Sequence, residues 1–348
     1  MQYLCTQNDY IMKKHLLLVF LTIFGVLNAY AFENGILPGL FTVHSNGMQV
    51  RFSQGNLQYG DAGTHVADDG NELSGTWRFA ATQYESIGYK AVNNGNGTWS
   101  YSVDKKDGFR DMFHWASSGY KGVGPDYDVE TNSKYGDGTN QISKSWWDWG
   151  WYNPITNGGN TTRMWRTLTT KEWQYIYLVR TNAADLRGRG TVCGVKGYIF
   201  LPDNWTGTPS GAPDLNTELS STPCDWTYNV YNEDEWKKME QAGAVFFPIS
   251  IEKHNSDETM SYYGGYWTAT PTEYFAGYWT FQDCTNTIGD YPRYYDANVR
   301  LVVDVMSPSA IDQTNQKSTI NNQKYIKNGQ LFILRDGRTY NAVGQEVK

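Results

Sequence analysis

Charge is scarce in this chain: Asp, Glu, Lys and Arg make up 19% of 348 residues, below the usual quarter. That shortage excludes a helical bundle, which needs an excess of Glu, Lys and Leu. Basic residues are the minority, 29 against 36 acidic, and no basic stripe with interleaved aromatics occurs, so a nucleic-acid partner is not expected. Histidines are few and scattered (His15, His44, His65, His114 and His254), with no zinc spacing and no nearby G-x-S-x-G elbow. No metal site and no nucleophile-based catalytic site is therefore expected, and His114, between Phe113 and Trp115, reads as a packed ring with one hydrogen bond. Beyond residue 31 no stretch approaches 18 apolar residues, which excludes a transmembrane helix in the mature chain.

Cysteine is almost as rare. Cys5 precedes the apolar run of the leader and does not sit where a lipoprotein cysteine would. Cys193, Cys224 and Cys284 remain, an odd number whose spacing fits no metal signature. A Cys193–Cys224 bridge, a Cys224–Cys284 bridge and three reduced thiols all stay open, because a chain this large does not need a staple.

What the chain has instead is rings and turns. Aromatic residues reach 16%, with Tyr 26, Trp 14 and Phe 14, and Gly numbers 35. That mixture suits short strands joined by glycine and asparagine turns. The first 31 residues read as an export leader: Lys13 and Lys14, an apolar run Leu16 to Leu27, and Ala29-Tyr30-Ala31 as the cleavage site, with Met12 the expected start. Residues 32–303 read as one domain, 304–322 as a polar linker, and 323–348 as a tail too small to bury its own core.

The domain is organised around Arg163 to Trp205. Thr169 with Glu172 fits a capping box, and Trp173, Ile176 and Tyr177 share one helical face. The glycines from Gly188 to Gly194 predict a turn before a strand at Tyr198 to Leu201. A second helix is expected after Asn232, with Glu235 three positions on and Gly243 as its C-terminal stop. Strands are predicted at Phe41–Val43, Met48–Phe52 and Leu57–Tyr59 as an opening meander, and at Trp77–Phe79. Further strands are predicted at Tyr266–Ala269, Ala276–Phe281 and Val299–Val303, and Ala244–Ile249 reads as a central strand. Gly108 to Ser118 is assigned to a short helix and Lys121 to Ile142 to a long loop. In the tail, Leu331–Leu334 and Thr339–Asn341 flank a hairpin turn at Asp336-Gly337. Two capped helices among many short strands make the fold class α+β, without repeating βαβ units.

Several stretches carry a resemblance: FSQGNLQY (Phe52–Tyr59), WRFA (Trp77–Ala80), MWRTLTTKEW (Met164–Trp173), LPDNW (Leu201–Trp205), WKKMEQAGAVFFP (Trp236–Pro248) and YWTAT (Tyr266–Thr270). Together they resemble a family of exported Bacteroidetes proteins related to the Fibrobacter succinogenes major paralogous domain. More remotely they resemble the C-type-lectin-like fold shared with formylglycine-generating enzymes. That resemblance implies a C-type-lectin-like fold with short strands, two main helices and long loops. It covers about residues 40–303, and the shared residues are mainly aromatic, capping and turn residues, so they imply a scaffold. The chain has no Glu-Pro-Asn or Trp-Asn-Asp pair, the calcium and sugar ligands of C-type lectins, nor the paired cysteines of the formylglycine-generating enzymes. The tail Asn328 to Val347, with its late Gly344-Gln345-Glu346-Val347, resembles sorting tails of the type IX secretion system. With the leader, it implies the secretion machinery as a partner and a secreted or outer-membrane-surface destination.

The reading this supports is a non-catalytic module that binds glycan or protein through aromatic-rich loops. The site residues are placed at Trp147, Asp148, Trp149, Trp151, Tyr263 and Tyr266, although the same tryptophans are also read as an internal lock for a loop-rich domain. One alternative is a glycan-acting hydrolase, for which Asp148, Glu172, Asp203, Asp225 and Asp283 are unpaired carboxylate candidates. Another is a structural part of a fimbria or surface assembly, exposing an edge strand near the N-terminus. Asp126, Asp128, Glu130 and Asp137 crowd one loop without the order of an EF-hand, so a solvated acidic loop is expected there rather than bound calcium.

Overall fold

A computed structural model of the protein describes residues 32–207, 215, 226–254, 260–282 and 285–305, and four short strands between 322 and 347. The leader, Cys224, Asp225, Asp283, Cys284 and residues 306–321 lie outside the described residues. Strand accounts for 40% and helix for 13%, so the chain is mostly β-sheet with a few short helices and is α+β in that loose sense. No helix among the described residues is long and apolar enough to cross a membrane.

Three short α-helices punctuate the described residues: α1 (Trp149–Tyr152), α2 (Thr170–Gln174) and α3 (Glu233–Gln241). The start of α2 is set by the expected capping box: Thr169 Oγ1 accepts from the Glu172 amide at 3.2 Å, and the Glu172 carboxylate accepts from the Thr169 amide at 2.7 Å. The helix then widens into a π turn, Tyr175–Val179. At α3, Asn232 Oδ1 accepts from the amides of Asp234 and Glu235, and Glu235 returns a bond to the Asn232 amide. Gly243 closes α3 at φ 102°, a conformation other residues rarely reach.

The strands form several antiparallel or mixed sheets. The opening strand Gln49–Phe52 pairs on one side with Phe41–Thr42 and on the other with Leu301–Val305, so the two ends of the domain lie side by side. Leu57–Val66 pairs with Glu72–Phe79 and Phe109–Arg110 in a different sheet, so the opening strands are not one meander. A second four-stranded sheet orders Val230–Tyr231, Arg187–Val192, Val195–Phe200 and Val245–Pro248. The six-stranded sheet contains Asn286–Pro292, Phe275–Gln282, Met260–Pro271, Ala297–Asn298 and Met112–Phe113, with Ile251–His254 paired to Met260–Pro271. In the tail, Gln330–Arg335 pairs with Arg338–Asn341 as the predicted hairpin, and Asn322–Lys327 and Glu346–Val347 flank it in one four-stranded sheet. The closing strand of the domain runs to Val305, two residues beyond the expected boundary at 303.

Three local expectations are overturned, each by tertiary pairing. Gly108 to Ser118 is not a helix: Phe109–Arg110 and Met112–Phe113 are strands drawn into two different sheets. Between them the buried Asp111 accepts the amides of Ile87 and Gly88, each at 2.9 Å. The run from Gly188 to Gly194 is mostly strand. Only Cys193 and Gly194, at φ 50° and 84°, make the turn, while a Cβ on Gly190 would meet Ile199 and Asn229 within 3.0 Å. Val245–Pro248 is fully buried but lies at a sheet edge. Side chains finish its hydrogen bonds: Gln83 accepts from the Phe246 amide at 2.7 Å and donates to Ala244 O at 3.1 Å, and Arg300 donates to Phe246 O at 3.4 Å. Burial lowers the Arg300 guanidinium to about 10.

The core closes on Trp173. Its ring stacks on Trp279 at 4.8 Å and 20°, and meets Phe52, Phe200 and Phe247 at 5.9, 6.4 and 5.5 Å. One side chain of α2 thus touches the sheet of the opening strand, the second four-stranded sheet and the six-stranded sheet. Its indole N–H has no hydrogen-bond partner among the described residues, and its contribution is ring packing. Trp173→Ala is expected to destabilise the domain by about 3–5 kcal/mol, and Thr169→Ala, which removes only the cap, by about 1 kcal/mol. Urea unfolding of both variants measures this; equal losses would contradict the hub.

Candidate functional site

An aromatic array with exposed members lies on one face of the six-stranded sheet. Side chains alternate along a strand, and directly paired residues share a face. Tyr263, Gly265 and Trp267 are opposite Gln282, Thr280 and Tyr278, and Tyr278 and Ala276 are in turn opposite Gly289 and Tyr291. Tyr263, Tyr278 and Tyr291 therefore point the same way, with the buried Trp267 and Ala276 of one core cluster, while Trp279 and Phe281 point into another. Gly265 makes this arrangement feasible: a Cβ there would come within 1.6 Å of Tyr278 Oη, so the phenol lies directly over the glycine backbone.

The rings form a connected array. Tyr278 and Tyr291 stack at 4.8 Å and 15°, Tyr291 meets Tyr295 at 4.9 Å, and Tyr295 meets Tyr294 at 5.0 Å. Tyr291 and Tyr295 are 39% and 43% exposed, enough to present ring faces to solvent. Burial, then the neighbouring Tyr295 and Tyr263, push the Tyr291 phenol above its ordinary value, so it stays a neutral hydrogen-bonding group at physiological pH. At the border of the array, Asp296 accepts from Tyr89 Oη at 3.0 Å and lies 3.3 Å from His114 Nε2. His114 Nδ1 is already engaged by Tyr127 O and Tyr135 Oη, so this carboxylate–imidazole contact faces tyrosines and not a serine or cysteine nucleophile.

Arg293 holds the array in place. Its buried guanidinium donates to the carbonyls of Phe275, Tyr135, Gly138 and Thr272 at 2.7–3.1 Å, and stacks over Trp115 at 4.7 Å. The long loop and the hairpin 272–275 are thereby tied to the segment carrying Tyr294 and Tyr295. Burial lowers the Arg293 pKa, and its charge is met by carbonyl dipoles.

The expected site residues are scattered. Tyr263 belongs to the tyrosine face, but residues 262–266 are strand, not loop, and alternation sends Tyr266 wholly into the core. Trp147 is 8% exposed, and Trp149 and Asp148 are fully buried, so none offers a surface for stacking. Trp151 is half-buried. Trp146 is the exposed ring of that run, held by its indole N–H on Asp68 at 2.9 Å, with Tyr120 edge-on to both Trp146 and Trp147. The tryptophan run closes the loop internally.

The carboxylates proposed for hydrolysis are also spoken for where they are described. Asp148 accepts from Thr167 N, Thr167 Oγ1 and Lys144 N. Glu172 caps α2 and pairs with Arg166 at 2.7 Å, while Asp203 binds Thr42 and Arg180. Asp225 and Asp283 fall outside the described residues, as do Cys224 and Cys284; Cys193 is a half-buried free thiol. In the acidic loop Asp126 pairs with Arg110, and no group of three His, Cys, Asp or Glu converges among the described residues. The residues the sequence reading missed, Tyr278, Tyr291, Tyr294 and Tyr295, had one signal: the run Tyr291-Pro292-Arg293-Tyr294-Tyr295-Asp296 is as ring-dense as the tryptophan run.

No protein-family model matches the chain, and no curated protein and no solved structure matches it.

Burial raises both Asp111 and Asp148 to about 6 against their hydrogen bonds. In the unfolded chain such groups titrate near 3.9, so between about pH 4 and 6 the folded state holds protons that the unfolded state has released. These two groups therefore make stability fall as pH rises through that window, by at most about 3 kcal/mol each. The unfolding midpoint is expected to rise on going from pH 7 to 5, and to rise less in Asp148→Asn. An unchanged pH dependence in that variant would contradict the assignment.

Proposed function

We propose that this chain is an exported, non-catalytic binding module of C-type-lectin-like fold that recognises carbohydrate through the tyrosine face. The observation that carries the reading is the stacked, partly exposed array Tyr278–Tyr291–Tyr295, bordered by Asp296. Sugar rings offer apolar C–H faces edged by hydroxyls. Tyrosine matches both, with a flat apolar body and a polar tip that loses little conformational entropy on binding. The leader and the tail support delivery by the type IX route to the outer-membrane surface or the medium. The side-by-side opening and closing strands and the capped α2 support the lectin-like fold and kinship with the exported Bacteroidetes family.

Two observations favour this reading over its alternatives. The best pair of carboxylates sharing a cavity, Glu233 and Glu240 beside a space of about 410 Å³, stands on one helix and not on opposing walls as glycosidic cleavage requires. The N-terminal edge strand Phe41–Thr42 is two residues long, and Asp203 takes its Thr42 amide at 2.6 Å, leaving little edge for a partner strand.

A glycan array probed with the full chain tests the proposal. Tyr291→Ala and Tyr295→Ala are each expected to weaken the retained glycan about tenfold, the effect of losing roughly 1.4 kcal/mol of stacking, with little loss of stability. Trp147→Ala and Trp149→Ala are expected to lower stability by about 3–5 kcal/mol. Retention that survives the double tyrosine change would overturn the tyrosine face as the site.

A further inference from the structure

The cavity of about 410 Å³ beside α3 has the start of the domain in its wall: Phe32 lines it together with Gln54, Tyr84, Glu233, Trp236 and Glu240. Phe32 is fixed there from both sides. Its ring packs against the core cluster of Trp173, and its carbonyl accepts the Gly35 amide at 2.9 Å. Gly35 O in turn accepts the Gln54 amide at 2.8 Å, and a Cβ on Gly35 would come within 2.8 Å of Asn157 O and 3.4 Å of Gln54 Oε1. The Phe32 amide itself donates to no described residue.

Two oxygens of the lining residues await a donor. Glu240 Oε1 accepts from Gln83 Nε2 at 3.0 Å, while Oε2 has no partner among the described residues. Gln54 commits its Nε2 to Ala80 O at 3.2 Å, which leaves its Oε1 without one. Both residues are half-buried, and neither oxygen is sealed from solvent. The neighbouring cations are held elsewhere: Lys237 pairs with Glu233 at 2.8 Å, and the buried Arg300 stands behind Gln83 at 2.8 Å. Burial raises the Glu240 carboxyl above its ordinary value, so a cation reaching Oε2 would relieve a carboxylate short of solvation.

Phe32 is also the residue that follows Ala29-Tyr30-Ala31, the expected cleavage site. Hydrolysis of the Ala31–Phe32 bond by a leader peptidase consumes one water, leaves a carboxylate on the leader and turns a neutral peptide N–H into an ammonium with three donors. We infer that this cavity captures the amino terminus made by leader removal, with the Phe32 ammonium on Glu240 and Gln54 Oε1 as a second acceptor, so that processing ties the start of the domain to α3. A precursor that keeps Ala31 has only a neutral amide at that position. The inference rests on the export reading and makes no use of the tyrosine face.

The secreted full chain tests it. N-terminal sequencing is expected to give Phe32 first; any other first residue would overturn the inference. The α-amine, followed by the pH dependence of its acylation, is expected to titrate above about 8.5, against about 7.7–8.0 for a free α-amino group. In Glu240→Gln, which keeps the Gln83 contact, it should return to the ordinary range. A raised folded-state value means stability present below about pH 8 and lost as pH climbs through the raised value. The chain starting at Phe32 should therefore melt a few degrees above one that retains Ala31 at pH 7, its ammonium being displaced by about 3.8 Å. That gap should close by pH 10 and be absent in Glu240→Gln. An ordinary amine in the unaltered chain, or a gap that persists at pH 10 or in Glu240→Gln, would overturn the capture. Glycan retention enters none of these readouts, so the two readings fail separately.

Discussion

The stacking of Trp173 on Trp279 is the contact on which the described domain depends. Three sheets of short strands, none able to bury both faces alone, meet through that pair, and Phe52, Phe200, Phe247 and Tyr198 close around it. Each ring pair adds about 1 kcal/mol beyond the area it buries, and large rings bridge gaps that aliphatic side chains would leave open. A chain with short strands, long loops and few charges can hold one shape because its rings reach from one sheet to the next.

The sparse charges follow from the same constraint. With little regular structure to absorb backbone polar groups, charged side chains are used as brackets on the main chain. Arg293 gathers four carbonyls from two segments, Asp111 and Asp148 collect amides, and Arg300 with Gln83 completes the buried edge of Val245–Pro248. Each bracket satisfies groups that would otherwise be buried unpaired, and that offsets the cost of burying the charge. Carboxylates placed this way have their oxygens engaged by main-chain amides.

Where brackets and rings are complete, the side chains that make them are buried. Tyr291 and Tyr295 leave ring faces in solvent on an otherwise packed sheet.

The sequence by itself determined the local, short-range features. The capping boxes at Thr169 and Asn232, the stop at Gly243, the apolar face led by Trp173, the tail hairpin and the predominance of short strands all depend on residues within a few positions of one another. Only the tertiary structure decided which rings face outward. The tryptophans from Trp147 to Trp151 and the tyrosines from Tyr291 to Tyr295 are equally dense in rings, but Thr167, bonded to the buried Asp148, and Tyr120, edge-on to Trp147, hold the first run inward. Arg293 instead pins the second at a sheet surface. The long-loop carbonyls that Arg293 reaches lie more than 150 residues away, and neither composition nor periodicity records a contact at that distance.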